Sequence, residues 1–154
     1  LRDVYNSIDW PVIVLIASMI PIGQALETTG GTGLISSGIL SLSQGGSTAV
    51  VLILLMVVTM TLSDVMNNTA TAVVAAPVAV DLAARLGASP DPFLMAVAIS
   101  ASCAFLTPIG HKNNTLILGP GGYRFGDYWR MGLPLEVIVV EVGAQMILWV
   151  WTLG

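Results

Sequence analysis

Long apolar segments with almost no charged residues constrain this chain more than any other feature. The first runs from Trp10 to Leu26, and further apolar runs continue to the tryptophan-rich stretch near the C-terminus. Charged residues make up only 9% of the 154 residues, against about 25% in a typical soluble domain. Such a chain has too little polar surface to be covered by water. We therefore expect a multi-pass, all-α membrane protein, with spans or half-spans at about 10–26, 48–66, 69–87, 93–118 and 131–153.

The charge and the reactive side chains argue against several other classes. The net charge is −4 and no basic face is present, so we expect no nucleic-acid partner. The single cysteine, Cys103, cannot form an internal disulfide and has no base near it in the sequence. With one histidine and no metal-ligand spacing, the sequence predicts neither an enzyme nor a bound cofactor.

The N-terminal stretch LRDVYNSIDW has neither an initiating methionine nor the layout of a signal peptide. We expect that the chain is a piece of a longer protein and follows a preceding domain or segment. Trp10 then stands where an aromatic ring favours the membrane interface.

The triplet Asn-Asn-Thr occurs twice beside apolar runs, at Asn67–Thr69 and at Asn113–Thr115. The runs around it are shorter than the roughly 20 residues that a spanning helix needs. Short apolar segments interrupted by Gly, Pro and polar residues are typical of re-entrant hairpins and broken helices in transporters. Irregular backbone is tolerated at membrane depth only where its polar groups are satisfied. We expect a hairpin tip at the first triplet and the unwound middle of a broken helix at the second.

Other interpretations of the triplets stay open at this point. Both match the N-glycosylation pattern N-x-[ST]. The first is also compatible with an ordinary water-exposed turn between two spanning helices. The repetition of so short a motif can also be coincidental.

Charged residues within the apolar blocks are few and therefore informative. Asp81 and Arg85 have the spacing of an i,i+4 ion pair. His111 and Lys112 lie in the second break, where they either attract an anion or pair with an acid such as Asp64.

Two acids fall in the last apolar block, Glu136 and Glu141. We expect Glu136 at the entrance of this span. Glu141 lies deeper, and so its charge is the one that most requires a partner.

Three stretches of the chain resemble a known family. They are IDWPVIVLIASMIPIGQALETTGGTGL, SDVMNNTATAVVAAPVAV and TPIGHKNNTLILGPGGYRFGDYWRMGLPL. Together they are similar to the C-terminal half of citrate-transporter-like permeases of the divalent anion:sodium symporter family, within the ion transporter superfamily. The resemblance is strongest to bacterial permeases that carry TrkA-C-like cytosolic domains between their two membrane halves.

This resemblance implies one of two inverted repeats, with a re-entrant helical hairpin and a discontinuous transmembrane helix. The family's hairpin tip is Ser-Asn-Thr, which corresponds to Asn68 and Thr69 here, while Asn67 departs from the family's serine. The family's proline-containing break corresponds to Thr107, Pro108 and the stretch Asn113–Thr115. The resemblance also implies an elevator-like motion, and a first membrane half that supplies the rest of the site.

Candidate site residues follow from the triplets and from the resemblance. For the anion we expect Asn68, Thr69, Pro108, His111, Lys112 and Asn114. For sodium we expect Asn67, Asn68, Thr71, Thr107, Gly110, Asn113 and Thr115.

The function that these observations imply is sodium-coupled uptake of a small anion, a dicarboxylate or sulfate, across a bacterial cytoplasmic membrane. The expected partners are the anion, sodium, membrane lipid, the first membrane half and a second copy in a homodimer. Alternatives are a sodium/proton antiporter, an arsenite-type exporter of the same superfamily, or a structural membrane segment without a site.

Overall fold

The computed structural model describes residues 10–151, and within that range the chain is helical and contains no strand. The last two residues of the predicted span at 131–153, and the stretch before Trp10, lie outside the described residues. The helices are α1 (Trp10–Thr28), α2 (Gly31–Leu42), α3 (Thr48–Val65), α4 (Asn68–Leu86), α5 (Pro90–Ala101), α6 (Lys112–Leu118) and α7 (Tyr128–Val150), with a 3₁₀ turn at Phe125–Asp127.

Three segments of the described chain are long and apolar enough to cross a membrane. They are Thr48–Val65, Asn68–Leu86 and Phe125–Val150. At about 1.5 Å per residue, α3 and α4 nearly match the roughly 30 Å hydrocarbon core. The chain is therefore an integral membrane protein. Since both arms of the α3–α4 hairpin are this long, a re-entrant placement of the hairpin stays a prediction.

The core forms where α4 and α5 pack against α3, and α7 covers one side of it. Leu52, Met56, Leu82 and Phe93 are each fully buried. Ile147 brings α7 into the same cluster. Dense packing of these side chains joins the first half of α3 to the end of α4 and the start of α5.

The outer face of α7 is apolar and exposed. Val137, Val142 and Met146 are all exposed there, as is Trp149 near the end of the helix. An exposed apolar face of this kind suits lipid tails or a further membrane-embedded element.

Two prolines follow the turn after α4, at Pro90 and Pro92, and they do not end a helix. Instead α5 begins at Pro90, after Ser89, whose hydroxyl accepts a hydrogen bond from the Asp91 amide. Proline fits the first helical turn because the amide that it lacks has no intrahelical partner there.

The helix that starts at Pro90 is discontinuous, but it stops earlier than expected. It ends at Ala101, before the break expected at Thr107 and Pro108, and helix resumes only at Lys112. We call the non-helical residues 102–111 the break segment. Asn113 and Asn114 lie in the first turn of α6, so the second triplet is helical and not unwound as expected. The unwound residues are those that precede it.

Candidate functional site

The tip of the α3–α4 hairpin and the break segment contact each other through buried polar groups. We define the hairpin tip as residues 66–69, which comprise the two residues that link α3 to α4 and the first two residues of α4. Asn67 caps α4, since its Oδ1 accepts a hydrogen bond of 2.8 Å from the Ala70 amide. A polar side chain at this position is the usual way to satisfy the free amides of a helix start.

Asn68 joins the hairpin tip to both ends of the break segment. The amide orientation that satisfies every contact places Nδ2 3.2 Å from the carbonyl oxygens of Ala101 and Gly110 and from the Ser63 hydroxyl. Its Oδ1 then lies 3.2 Å from Nδ1 of His111, which donates. Asn68 is half-buried, and its side chain is engaged by protein groups on both sides. A simple water-exposed turn does not require such contacts.

Ser63 adds a second bond to the same end of the break. Its hydroxyl is fully buried and donates to the Ala101 carbonyl oxygen at 2.7 Å. That carbonyl belongs to the last turn of α5, where helical acceptors have no intrahelical donor. Ser63 and Asn68 together supply the missing donors.

Asp64 holds the middle of the break segment. Its Oδ1 accepts the Leu106 amide at 2.9 Å, and its backbone oxygen accepts the Thr107 hydroxyl at 2.5 Å. The hydroxyl oxygen of Thr107 in turn accepts a hydrogen bond of 3.2 Å from the Ile109 amide. Amides freed by the break are thus satisfied by α3 and by the segment itself, as backbone at membrane depth requires.

The second triplet folds back onto the carbonyl oxygens of the break segment. Asn114 Nδ2 donates to the oxygens of Ala104 and Thr107, both at 3.2 Å. The Thr115 hydroxyl donates to the Pro108 oxygen at 2.5 Å. Each carbonyl oxygen has two lone pairs and can accept one hydrogen bond while facing a cation with the other. The segment therefore presents oxygen ligands of the kind that hard cations prefer.

Two glycines allow the break segment to lie this close to its neighbours. A Cβ added to Gly110 would lie 2.6 Å from the Ser63 backbone oxygen and 2.6 Å from the Ala104 Cβ. A Cβ on Gly132 of α7 would lie 2.6 Å from the Phe105 carbonyl carbon. Neither position has room for any larger residue without movement of the backbone.

Glu136 of α7 contacts the break segment, which reverses the sequence expectation for the two acids of this helix. Glu136 is buried, and its Oε1 accepts the Phe105 amide at 3.3 Å. Glu141, expected to be the deeper of the two, is exposed and bonds to Gln145 one turn away. The spacing of Gly132, Glu136 and Ala144 on one helix face was the available signal for this arrangement.

The structure brings some of the expected site residues together and separates others. One connected set of hydrogen bonds includes six of them: Asn68, Thr107, Gly110, His111, Asn114 and Thr115. Pro108 is buried beside this set. Asn67, Thr69 and Asn113 are exposed. Thr71 is buried, and its hydroxyl has no hydrogen-bond partner among residues 10–151. The side chain of Lys112 lies outside the described residues, and a binding role for each of these positions stays a prediction.

An open cavity of about 530 Å³ adjoins the break segment on the α7 side. Its wall includes Phe105, Asn114, Tyr128 and Leu135. Tyr128 also donates its hydroxyl to the Asn114 backbone oxygen at 2.7 Å, which ties α7 to α6. The lining is largely apolar, so this cavity lacks the polar groups that a small dianion requires.

Helices long enough to span a membrane pack here against a broken helix whose backbone polar groups are hydrogen-bonded. This arrangement is typical of one class of protein, the polytopic membrane transport proteins. Comparison with known proteins gives the family. The chain belongs to the citrate transporter family, whose model matches residues 1–153.

Three relatives illustrate this membership. The chain is 43% identical over 146 residues to an uncharacterized transporter, YfbS, of Escherichia coli, which covers 95% of the chain and 24% of that protein. It is 26% identical to sodium/sulfate cotransporter 1 of Chlamydomonas reinhardtii, covering 94% of the chain and 16% of the relative. It is 24% identical to the sodium-dependent dicarboxylate transporter SdcS of Staphylococcus saprophyticus, and the match covers 91% of the chain and 28% of that relative. The chain thus spans less than a third of each of these relatives.

Proposed function

We propose that this chain supplies half of the transport site in a secondary active transporter that takes up a small dianion, a dicarboxylate or sulfate, together with sodium. The observation that carries the proposal is the contact between the hairpin tip and the break segment. Asn68 makes this contact to Ala101, Gly110 and His111. Two irregular backbone regions that meet between membrane helices are the arrangement in which transporters hold substrate and ion.

An anion would be attracted to the start of α4. The free amides of a helix N-terminus carry partial positive charge, and α4 extends for 19 residues behind its first turn. Thr69 is exposed at this start and offers a hydroxyl donor. His111 lies half-buried beside Asn68 at the same place.

Sodium would be held by the oxygens of the break segment. The carbonyl groups of Ala104, Thr107 and Pro108 are already oriented by Asn114 and Thr115. Sodium as the coupling ion is supported by two relatives, whose names describe a sodium/sulfate cotransporter and a sodium-dependent dicarboxylate transporter. Both relatives are far longer than this chain, so we propose that a first, inverted membrane half supplies the remaining ligands. A homodimer in a bacterial cytoplasmic membrane belongs to the same proposal.

The experiment that tests the proposal is a flux assay on the full-length protein in proteoliposomes. Inward sodium gradients and inward proton gradients are compared with sulfate, succinate, citrate and arsenite as cargo. The proposal predicts concentrative uptake of sulfate or a dicarboxylate driven by the sodium gradient. Arsenite export, or sodium/proton exchange without anion uptake, would contradict it.

A further inference from the structure

The open cavity beside the break segment extends along the first three turns of α7. Met131, Leu135 and Ile138 line it at the i, i+4 and i+7 spacing of a single helical face. Phe105 of the break segment and Ile117 of α6 add to the same apolar wall. The volume of about 530 Å³ is within the range of about 300–1,000 Å³ that is typical of ligand pockets. From the start of α7 to its third turn the cavity follows about 15 Å of helix, which is half of the roughly 30 Å hydrocarbon core, or one leaflet.

The lining becomes polar and aromatic at the end of the cavity where α7 begins. Tyr123, Asp127 and Tyr128 line the cavity there. Trp129 follows at once in the chain, and its side chain and that of Tyr123 are each more than half exposed. Tyrosine and tryptophan are enriched where a membrane meets water. The cavity therefore begins at the level of the lipid headgroups and continues among the acyl chains.

Two arginines stand beside this polar end of the cavity. Arg124 follows Tyr123 directly. Arg130 lies one turn before Pro134, which lines the cavity, and so it is on the same side of α7. Helical side chains lean toward the N-terminus of their helix, which directs Arg130 toward the polar end. Both arginines are exposed, and neither forms a salt bridge with a side chain that the structure describes.

The one acid at this end of the cavity does not neutralise the arginines. Asp127 Oδ2 accepts a hydrogen bond of 2.8 Å from the backbone amide of Arg124, and its carboxylate thereby closes the 3₁₀ turn. Residues 119–131 contain two arginines and one acid, a net charge of +1. The polar end of the cavity is therefore complementary to an anion, whereas its deeper part is complementary to a hydrocarbon chain.

We propose that this cavity binds an anionic phospholipid, with one acyl chain in its apolar part and the phosphate at Arg124 and Arg130. Basic residues next to a transmembrane helix recognise anionic headgroups, and each buried methylene group of the chain adds to the affinity. The bound lipid lies against Phe105 and Asn114 and supports the break segment from the α7 side. This site goes beyond the proposed function, because it does not depend on which anion or cation is transported.

The combination of charge and shape favours a lipid over a helix of the first membrane half. An apolar helix would fill only the apolar part of the cavity and would leave both arginines without an anionic partner. An anionic phospholipid satisfies both ends, and its length along α7 is that of one leaflet.

The test is photocrosslinking in nanodiscs that contain the purified full-length protein. A phosphatidylglycerol with a diazirine in its acyl chain is titrated into a background of phosphatidylcholine, and mass spectrometry of peptides locates the label. We expect saturable labelling of residues 131–138, which a phosphatidylcholine carrying the same diazirine does not give. This measurement requires no transport, so its failure is distinguishable from failure of the proposed function.

Two kinds of variant test the two ends of the site. The double variant Arg124→Gln/Arg130→Gln should raise the mole fraction of phosphatidylglycerol at half-maximal labelling by at least about tenfold, since each arginine contributes to headgroup attraction. Its control is Arg85→Gln, which removes an arginine already paired with Asp81 and should leave that mole fraction unchanged.

Leu135→Trp fills the apolar part and should abolish the saturable labelling. Its control is Val142→Trp, at an exposed position of α7 outside the cavity, which should label as the wild type does. Three results would overturn the proposal. They are equal labelling by the phosphatidylcholine probe, which indicates bulk lipid only, no labelling of residues 131–138, which indicates that protein covers the cavity, and an unchanged titration in the double arginine variant.

Discussion

The Asn68 side chain lies 3.2 Å from Nδ1 of His111 and so connects the hairpin tip to the far end of the break segment. The same amide reaches Ala101 at the near end. One residue of the hairpin therefore spans the whole interruption of the neighbouring helix. A substitution of Asn68 therefore removes contacts to both helix ends that border the break.

This connection predicts energetic coupling between Asn68 and His111. In a double-mutant cycle, Asn68→Ala and His111→Ala should be non-additive by about 0.5–1.5 kcal/mol, the net worth of one hydrogen bond. Chemical denaturation of the purified full-length protein in detergent gives the required free energies of unfolding. The control cycle pairs Asn68→Ala with Gln145→Ala, an exposed amide on α7, and should be additive. Additivity in both cycles would show that the Asn68–His111 contact is not formed.

Close backbone packing predicts that Gly110→Ala is strongly destabilising. The added methyl group would lie 2.6 Å from the Ser63 backbone oxygen, where no flexible side chain can give way. We expect a loss of about 1–3 kcal/mol, typical of overpacking. The matched control is Gly38→Ala in α2, where no atom lies within 4 Å of the added group. Since alanine is the better helix former, that variant should be as stable as the wild type or more stable. Equal melting temperatures for Gly110→Ala and Gly38→Ala would contradict the packing described here.

The buried hydroxyl of Ser63 predicts a third difference between matched variants. Ser63→Ala removes the 2.7 Å bond to the Ala101 oxygen in a site without water access. A buried polar group that loses its partner costs about 1–3 kcal/mol. Ser37→Ala removes a similar bond on an exposed helix face, to the Gly33 oxygen, and should change stability by no more than about 0.5 kcal/mol. Thermal unfolding of the two variants compares them directly. A Ser63→Ala variant as stable as Ser37→Ala would show that the buried Ser63 hydrogen bond does not stabilise the fold.

The sequence was sufficient to predict a helical membrane protein, because a chain with so few charged residues has too little polar surface to keep its apolar runs away from water. The first triplet correctly marked the connection between two apolar helices, where Asn67 is the N-cap. The second triplet was expected to be unwound but lies in the first turn of α6, after the N-cap His111. The citrate transporter family was recognisable from the same stretches.

The start of the break could not be predicted from local pattern. Phe105 and Leu106 continue an apolar run, and Pro108 predicts a break only from about Thr107 onward. The helix ends earlier, and two distant acceptors, Asp64 and Glu136, take up the amides of Leu106 and Phe105. The role of Glu136 was missed for the same reason, since its partners are remote in the chain and Glu141 is more central in the apolar block.

The central claim is that the contact between the hairpin tip and the break segment forms half of a transport site. The most direct measurement is sodium-driven uptake of sulfate or succinate by full-length Asn68→Ala and Thr69→Ala variants in proteoliposomes, with Gln145→Ala as the control. We predict that the first two variants reach the membrane in normal amounts but take up less than about a tenth of the wild-type cargo, a loss of at least about 1.4 kcal/mol, while Gln145→Ala transports normally. Normal uptake by both Asn68→Ala and Thr69→Ala would contradict the claim.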